Sequence, residues 1–170
     1  MKVRVFYAAP MKRIYLFLLP VLAFVLASCN EKAASTPIVR ASSQVIRISA
    51  AGVRDTIAYN DTLCIADTAY LAMVISGNLN ALTSFVAKAD TSCVQLAIEW
   101  NSDYDSYLAE GADPEHAILK FLPEKVYAFQ TALKYIPRKA GTHTISLVVS
   151  SDAPADYSPR EYNFDIVVKE

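Results

Sequence analysis

Apolar and polar residues alternate along most of the chain after residue 44. A period of two is typical of a β-strand with one buried face. The alternation predicts six strands around residues 45–49, 71–75, 94–100, 127–135, 144–149 and 162–168, and a short seventh over 82–87 after the turn-forming pair Gly77-Asn78. Short strands separated by turn residues favour an all-β, antiparallel β-sandwich over a fold of alternating strands and helices.

One segment departs from this alternation. Asp113 is a typical helix N-cap residue, Pro114 suits the first helical position, and Glu115 adds an acid to the first turn. Residues 116–122 can then form about two helical turns before Pro123 ends them. We therefore expect one short helix in the connection between the middle strands.

Residues 1–28 have the features of a targeting signal rather than of a folded domain. Lys12 and Arg13 precede an apolar stretch of 13 residues, 14–26, that is interrupted only by Pro20. A bilayer span needs roughly 20 apolar residues, so the stretch fits the apolar region of a signal peptide instead. Translation from either Met1 or Met11 leaves the same mature protein.

The end of this signal, Leu26-Ala27-Ser28-Cys29, resembles a bacterial lipobox. The resemblance implies that the sulfur of Cys29 receives a diacylglycerol and that cleavage precedes it. Asn30, where aspartate would imply retention at the inner membrane, implies the outer membrane, with the periplasmic or the cell-surface face left open. A plain secretory signal with an incidental Cys29 is the alternative.

The predicted domains follow from these boundaries. Residues 1–28 are the lipoprotein signal peptide, and residues 29–43 are the lipidated N-terminus with a flexible tether. The stretch 30–43 is polar, rich in small residues and without a period, and its fourteen residues extend to at most about 45 Å. Residues 44–170 are predicted to form the sandwich.

Charge and composition exclude several function classes. The chain has 16 basic and 17 acidic residues, and loss of the four basic residues in the signal leaves a net charge of about −5. That balance argues against a nucleic-acid-binding protein and against electrostatic attraction of the domain to anionic lipid. Four scattered glycines form no phosphate-binding loop, and two histidines with three cysteines build no zinc site. No cofactor is expected.

The run over residues 139–149, KAGTHTISLVV, resembles the penultimate strand of immunoglobulin-like bacterial surface domains. In those domains a glycine makes the corner and a tyrosine hydroxyl bonds back to the chain. This sequence has His143 at the tyrosine position, so a ring nitrogen would have to make that bond. The resemblance covers about the last 40 residues and the rest by strand count, and overall the chain is similar to small, uncharacterised immunoglobulin-like lipoproteins of Gram-negative bacteria. The resemblance implies an immunoglobulin-like sandwich, a fold that hosts unrelated functions.

Cys64 and Cys93 are the two cysteines of the predicted mature domain. A pair of cysteines in an exported protein suggests a disulfide. Closing a loop of about 30 residues would stabilise the fold by roughly 3 to 4 kcal/mol. Cysteine is also a common small buried residue, so a bridge and two free thiols both remain open.

The stretch Trp100-Asn101-Ser102-Asp103-Tyr104-Asp105-Ser106-Tyr107 is the candidate ligand-binding segment. Trp100 shares a strand face with Ile98 and is expected in the core, whereas Tyr104 and Tyr107 lie outside the alternation and are expected on the surface. Exposed aromatic rings beside the carboxylates of Asp103 and Asp105 suit a glycan or a protein partner.

The acidic residues of the same segment are also candidate ligands for calcium, which prefers several oxygen ligands. The EF-hand pattern fails, because Ser106 stands where glycine is needed and Ala112 where the last acid is needed. Asp and Asn also favour solvated turns, so no metal site is predicted.

The sequence favours a non-catalytic role. The common hydrolase and metalloprotease motifs are absent from it, and an Asp103–Glu110 carboxylate pair is the weakest of three hypotheses. The leading hypothesis is a lipid-anchored module that binds a protein or glycan partner through its end loops. The runner-up is a structural subunit of a surface assembly that pairs through an edge strand.

Overall fold

The computed structural model describes residues 32–170, so the predictions for the signal peptide and Cys29 lie outside the described residues. Ten strands form two five-stranded sheets, which confirms the predicted all-β sandwich. The strands are β1 Ile38–Ile48, β2 Arg54–Ala58, β3 Thr62–Cys64, β4 Thr68–Ser76, β5 Leu82–Lys88, β6 Val94–Glu99, β7 Ile118–Lys120, β8 Ala128–Pro137, β9 Gly141–Ser151 and β10 Arg160–Lys169.

The first sheet has the strand order β2-β1-β4-β8-β6, and every pair in it is antiparallel. The second sheet has the order β3-β10-β9-β5-β7, in which β3 runs parallel to β10 and the other pairs are antiparallel. Within residues 32–170, no helix has the length and apolar content needed to cross a bilayer.

The core forms from the alternating apolar residues of both sheets. Leu71, Met73 and Ile75 of β4 are buried, as are Ile145 and Val149 of β9. Each fully buried side chain of this size contributes about 1.5–3 kcal/mol. A slip of one residue would turn a whole row of them to solvent, so this burial fixes the register of the strands.

The helix start predicted at Asp113 and Pro114 is confirmed, but its predicted continuation over 116–122 is wrong. Pro114–His116 forms a single 3-10 turn capped by Asp113, and Ala117 then adopts a left-handed φ of 59°. The following residues form β7, which pairs with β5. Leu119 and Phe121 are buried on either side of an exposed lysine, so packing in the core overrides the local helix-start signal.

The flexible tether predicted over residues 29–43 is wrong in its last part. β1 begins at Ile38, so residues 38–43 belong to the strand. The pairing of β1 with β4 shifts register between Ala41 and Val45, which is a β-bulge. Ser42 and Ser43 lie in this bulge. The extra residues and the two serines interrupt the alternation that would otherwise have indicated a strand.

Hydrogen bonds hold the segment before β1 against the end of the sandwich at which β1 begins. The side-chain amide of Asn80 donates to the Ala33 carbonyl at 2.8 Å and to Ser35 Oγ at 2.7 Å. Lys32 Nζ lies 2.6 Å from a carboxylate oxygen of Asp152. The described chain is therefore attached to the domain from Lys32 onward.

The corner before β9 confirms the role expected of His143. Its Nε2 lies 2.8 Å from the carbonyl oxygen of Lys139. Because a carbonyl oxygen accepts, Nε2 carries the proton and donates. Gly141 lies between the two residues with φ of 126°, a backbone conformation that favours glycine. A ring nitrogen thus closes this corner.

Of the two alternatives for the cysteines, the structure shows free thiols, so the possible Cys64–Cys93 disulfide is not formed. Cys64 ends β3, the edge strand at the far side of its sheet from β7. Cys93 directly precedes β6, an edge strand of the other sheet that packs beside β5. Both thiols lie near the end of β8, because the N–H of Ala66 donates to the Pro137 carbonyl and the N–H of Arg138 donates to the Cys93 carbonyl.

The buried phenol of Tyr135 provides a test of the packing of the hydrophobic core. Burial raises the pKa of Tyr135 to about 12, because the phenolate loses its hydration. An unfolded tyrosine has its usual pKa of about 10.0. The stabilising contribution of this protonated phenol is therefore complete below pH 10 and is lost as the pH rises toward 12.

We expect ultraviolet titration to show a minor tyrosine phase near pH 12. Tyr135→Phe should remove this minor phase, whereas Tyr104→Phe, which removes an exposed phenol, should leave it in place. A minor phase that persists in Tyr135→Phe would contradict the assignment.

Candidate binding groove

A groove of about 430 Å³ opens at the end of the sandwich where β6 ends and β8 begins. Aromatic side chains from two distant parts of the sequence form its walls. Polar side chains from the same two parts lie among them. The lining residues are Glu99, Trp100, Asn101, Tyr104, Tyr107, Lys125, Val126, Tyr127, Ala128, Phe129 and Gln130.

The groove exists because β8 is longer than its neighbour β6. The pairing of the two strands ends at Glu99 and Ala132, while β8 continues to pair with β4 as far as Ala128. In the described part of the chain, no strand pairs with residues 128–130 on the β6 side. The chain leaves β6 into a 3-10 turn, Ser102–Tyr107, which forms the opposite wall.

Trp100 connects this groove to the core, as its place in the alternation predicted. The indole is half-buried and packs against Phe121 and Phe129, with ring centroids 6.3 and 6.1 Å away. Its Nε1 donates to Asp105 Oδ1 at 3.0 Å. One face of the ring is thus fixed by packing and its polar edge by a carboxylate.

The predicted exposure of Tyr104 and Tyr107 is confirmed, since they are 53% and 39% exposed. Their ring centroids lie 6.2 Å apart, and that of Tyr104 lies 6.3 Å from that of Trp100. Tyr127 adds a third exposed ring to the groove lining from the start of β8. Each tyrosine offers an apolar face and a hydroxyl that can donate or accept.

Asp103 and Asp105 do not line the groove, and their contact with a ligand stays a prediction. The backbone N–H of Asp103 donates to Asn101 Oδ1 at 3.0 Å, and Asn101 Nδ2 donates to Asp103 Oδ2 at 3.3 Å. Asp105 accepts from Trp100. Both carboxylates stabilise the 3-10 turn, as short polar side chains do at such positions.

Sequence reasoning missed the side of the groove that β8 supplies. Lys125, Tyr127 and Gln130 are more than 17 positions from Tyr107 along the chain, and only strand pairing brings the two segments together. The alternation puts Tyr127 inside the predicted strand, whereas β8 begins one residue later. An aromatic residue just outside a strand end is the signal that could have indicated it.

No metal site accompanies the groove. Among the residues that the structure describes, no three His, Cys, Asp or Glu side chains converge so that they could hold an ion. Asp113 instead caps its 3-10 turn and lies 2.7 Å from Nδ1 of His116. The carboxylate of Asp113 is therefore engaged in hydrogen bonds within its own turn.

Comparisons with protein-family models and with curated proteins gave no match. Among solved structures, the chain is similar to a DUF4466 family protein from Parabacteroides merdae, with 12% sequence identity and a TM-score of 0.41. The match covers 79% of this chain and 46% of that protein. The chain thus spans less than half the length of that bacterial protein.

Removal of the Asp105 carboxylate should loosen the groove wall. Asp105→Ala deletes the acceptor of the Trp100 indole N–H, and we expect the free energy of unfolding to fall by about 1 kcal/mol. Trp100 is the single tryptophan of the chain, so its fluorescence emission should shift to longer wavelength as water reaches the ring.

Asp103→Ala is the matched control, because that carboxylate bonds to Asn101 and not to the indole. Its emission maximum should stay at the wild-type position. Equal shifts in the two variants would contradict the role assigned to Asp105.

Proposed function

We propose that this protein is a lipid-anchored, non-catalytic module of the bacterial outer membrane that binds a partner through the groove. The observation that carries the proposal is the cluster of exposed tyrosines, Tyr104, Tyr107 and Tyr127, around a concave surface. Aromatic residues in concave, partly desolvated positions carry a large share of binding energy at interfaces.

The chemistry of the groove favours a protein partner. The segment 101–107 combines two tyrosines with two serines and an asparagine, residue types that are enriched in antibody binding loops, where rigid rings give contact area at low entropy cost. The unpaired start of β8 also offers main-chain groups to an extended segment. A glycan would use the same rings for stacking and is the alternative outcome of the binding test.

The groove lining supports a non-catalytic role. It holds no histidine, cysteine, serine or threonine, so it lacks a nucleophile with an adjacent imidazole base. Asp103, one half of the carboxylate pair considered for a hydrolase, lies outside the lining and bonds to Asn101. The remaining charged groups of the lining are Glu99 and Lys125.

The immunoglobulin-like character and the lipid anchor are parts of this proposal. The His143–Lys139 bond supports the first, because it reproduces the corner closure of that fold with a different ring. The lipobox-like sequence ending at Cys29 supports the second. Several acyl chains would anchor the domain stably, where one would not.

Binding can be tested on arrays of glycans and of bacterial envelope proteins. We expect Tyr104→Ala and Tyr107→Ala each to weaken the signal about tenfold or more, the usual effect of removing an aromatic hot spot. Tyr59→Ala is the matched control, since Tyr59 is also exposed but lies outside the groove. Undiminished binding in both groove variants would remove the groove as the binding site.

The anchor can be tested by fractionation of cells expressing the full chain. Wild-type protein should pellet with the outer membrane and incorporate labelled fatty acid. Cys29→Ser should do neither, because it lacks the sulfur that forms the thioether. A serine variant that still pellets with the membrane and resists a salt wash would contradict the lipoprotein assignment.

A further inference from the structure

The position of the first described residues constrains where a lipid on Cys29 would lie. Lys32 is attached to the end of the sandwich through Asp152, and Ala33 and Ser35 through Asn80. Three peptide units separate Cys29 from Lys32, and they can span at most about 11 Å. An anchor on Cys29 would therefore be held close to this end, not at the end of a long tether.

Bulky apolar side chains are exposed at this same end. Leu79 occupies the turn between β4 and β5 and is 75% exposed, and Leu122, after β7, is 37% exposed. Turn positions usually carry Gly, Asn, Asp or Ser, and nothing in the core requires a leucine there. Beside a lipid anchor, exposed leucines are positioned to enter the boundary between headgroups and acyl chains, as the apolar face of an interfacial segment does.

The tyrosines of the groove extend this surface. Tyr104, Tyr107 and Tyr127 surround a groove that includes Lys125, the residue after Glu124, and Glu124 bonds to Lys32. Tyrosine is enriched where a protein meets lipid headgroups, because its ring is apolar and its hydroxyl is polar. The arrangement thus places leucines and tyrosines within one end of the domain.

We infer that this end, which we call the anchor face and define by Lys32, Leu79, Leu122 and Tyr127, lies against the headgroup layer of the bilayer. The inference rests on the proposed lipidation of Cys29. It assigns Leu79 to the headgroup region, with the long axis of the sandwich directed away from the membrane.

Apolar contact and the short connection from Cys29 to Lys32 hold the anchor face against the headgroup layer. Net charge does not contribute to this contact. The amine of Lys32 is already paired with Asp152 and Glu124, and the predicted mature chain is acidic. Zwitterionic lipid should therefore suffice, and raised salt should not release the face.

The test uses the full lipidated protein, purified in detergent and reconstituted into phosphatidylcholine vesicles that contain a headgroup-spin-labelled lipid. In a Trp100→Phe background, Leu79→Trp places the fluorophore on the anchor face and Val53→Trp places it at the opposite end. Val53 is a matched position, because it is 63% exposed and lies in the turn after β1. The length of β1 separates the two turns by roughly 30 Å.

We expect quenching by the spin label to be at least about threefold stronger for Leu79→Trp than for Val53→Trp, because only the first lies within contact range. Equal quenching would overturn the inference. If circular dichroism shows that Trp100→Phe is unfolded, each added tryptophan is measured in the presence of Trp100, and the increments are compared in the same way.

Vesicle flotation separates this inference from the proposed function. Protein that does not float lacks the lipid, which would defeat the anchor itself. Protein that floats but shows no difference between the two reporters keeps its anchor and defeats only the anchor face. A flexible insertion of about fifteen residues after Cys29, spanning up to about 50 Å, should reduce the difference. An unchanged difference would overturn the role given to the short connection.

Discussion

The unequal pairing of β8 with its two neighbours is the constraint on which the groove depends. On one side β8 pairs with β4 from Ala128 to Tyr135, and burial of alternate side chains of both strands fixes that register. On the other side β6 reaches only as far as Ala132. The pairing with β4 holds the start of β8 in place. Because β6 ends before it reaches this part of β8, a groove remains beside residues 128–130, and the start of β8 does not fray.

Trp100 makes this groove part of the folded core. It packs against Phe129, which itself contacts Phe85 and Phe121, so the ring is continuous with the aromatic cluster between the sheets. Asp105 holds the indole N–H and thereby fixes the turn that carries the tyrosines. The exposed rings are thus positioned by buried ones, and a binding surface built this way is preorganised before any partner arrives.

The sequence predicted the parts of the fold that depend on strong alternation. Strands such as β4 and β9 bury every second residue and were located within a few positions. β7 was missed, because three residues are too few to show a period and Asp113-Pro114 signals a helix. For Asp103 and Asp105 the sequence shows that the residues are polar but not which hydrogen-bond partners the 3-10 turn gives them. The β8 wall required a pairing between distant segments, which no local pattern contains.

The strand directions determine which end of the domain carries both the groove and the segment from Lys32 that leads into β1. β1 begins, β4 ends and β8 begins at one end, as the antiparallel register of Ile38 with Ser76 and of Ser76 with Ala128 requires. A chain anchored just before β1 therefore has its groove at the anchored end. If Cys29 carries the lipid, a partner of the groove must reach the headgroup region, so a protein embedded in the same membrane fits the geometry better than a ligand free in solution. The long tether expected from the sequence would have allowed either kind of partner to reach the groove. An ordered strand over residues 38–43 and an ion-paired Lys32 stand in its place, so the domain lacks that freedom of orientation.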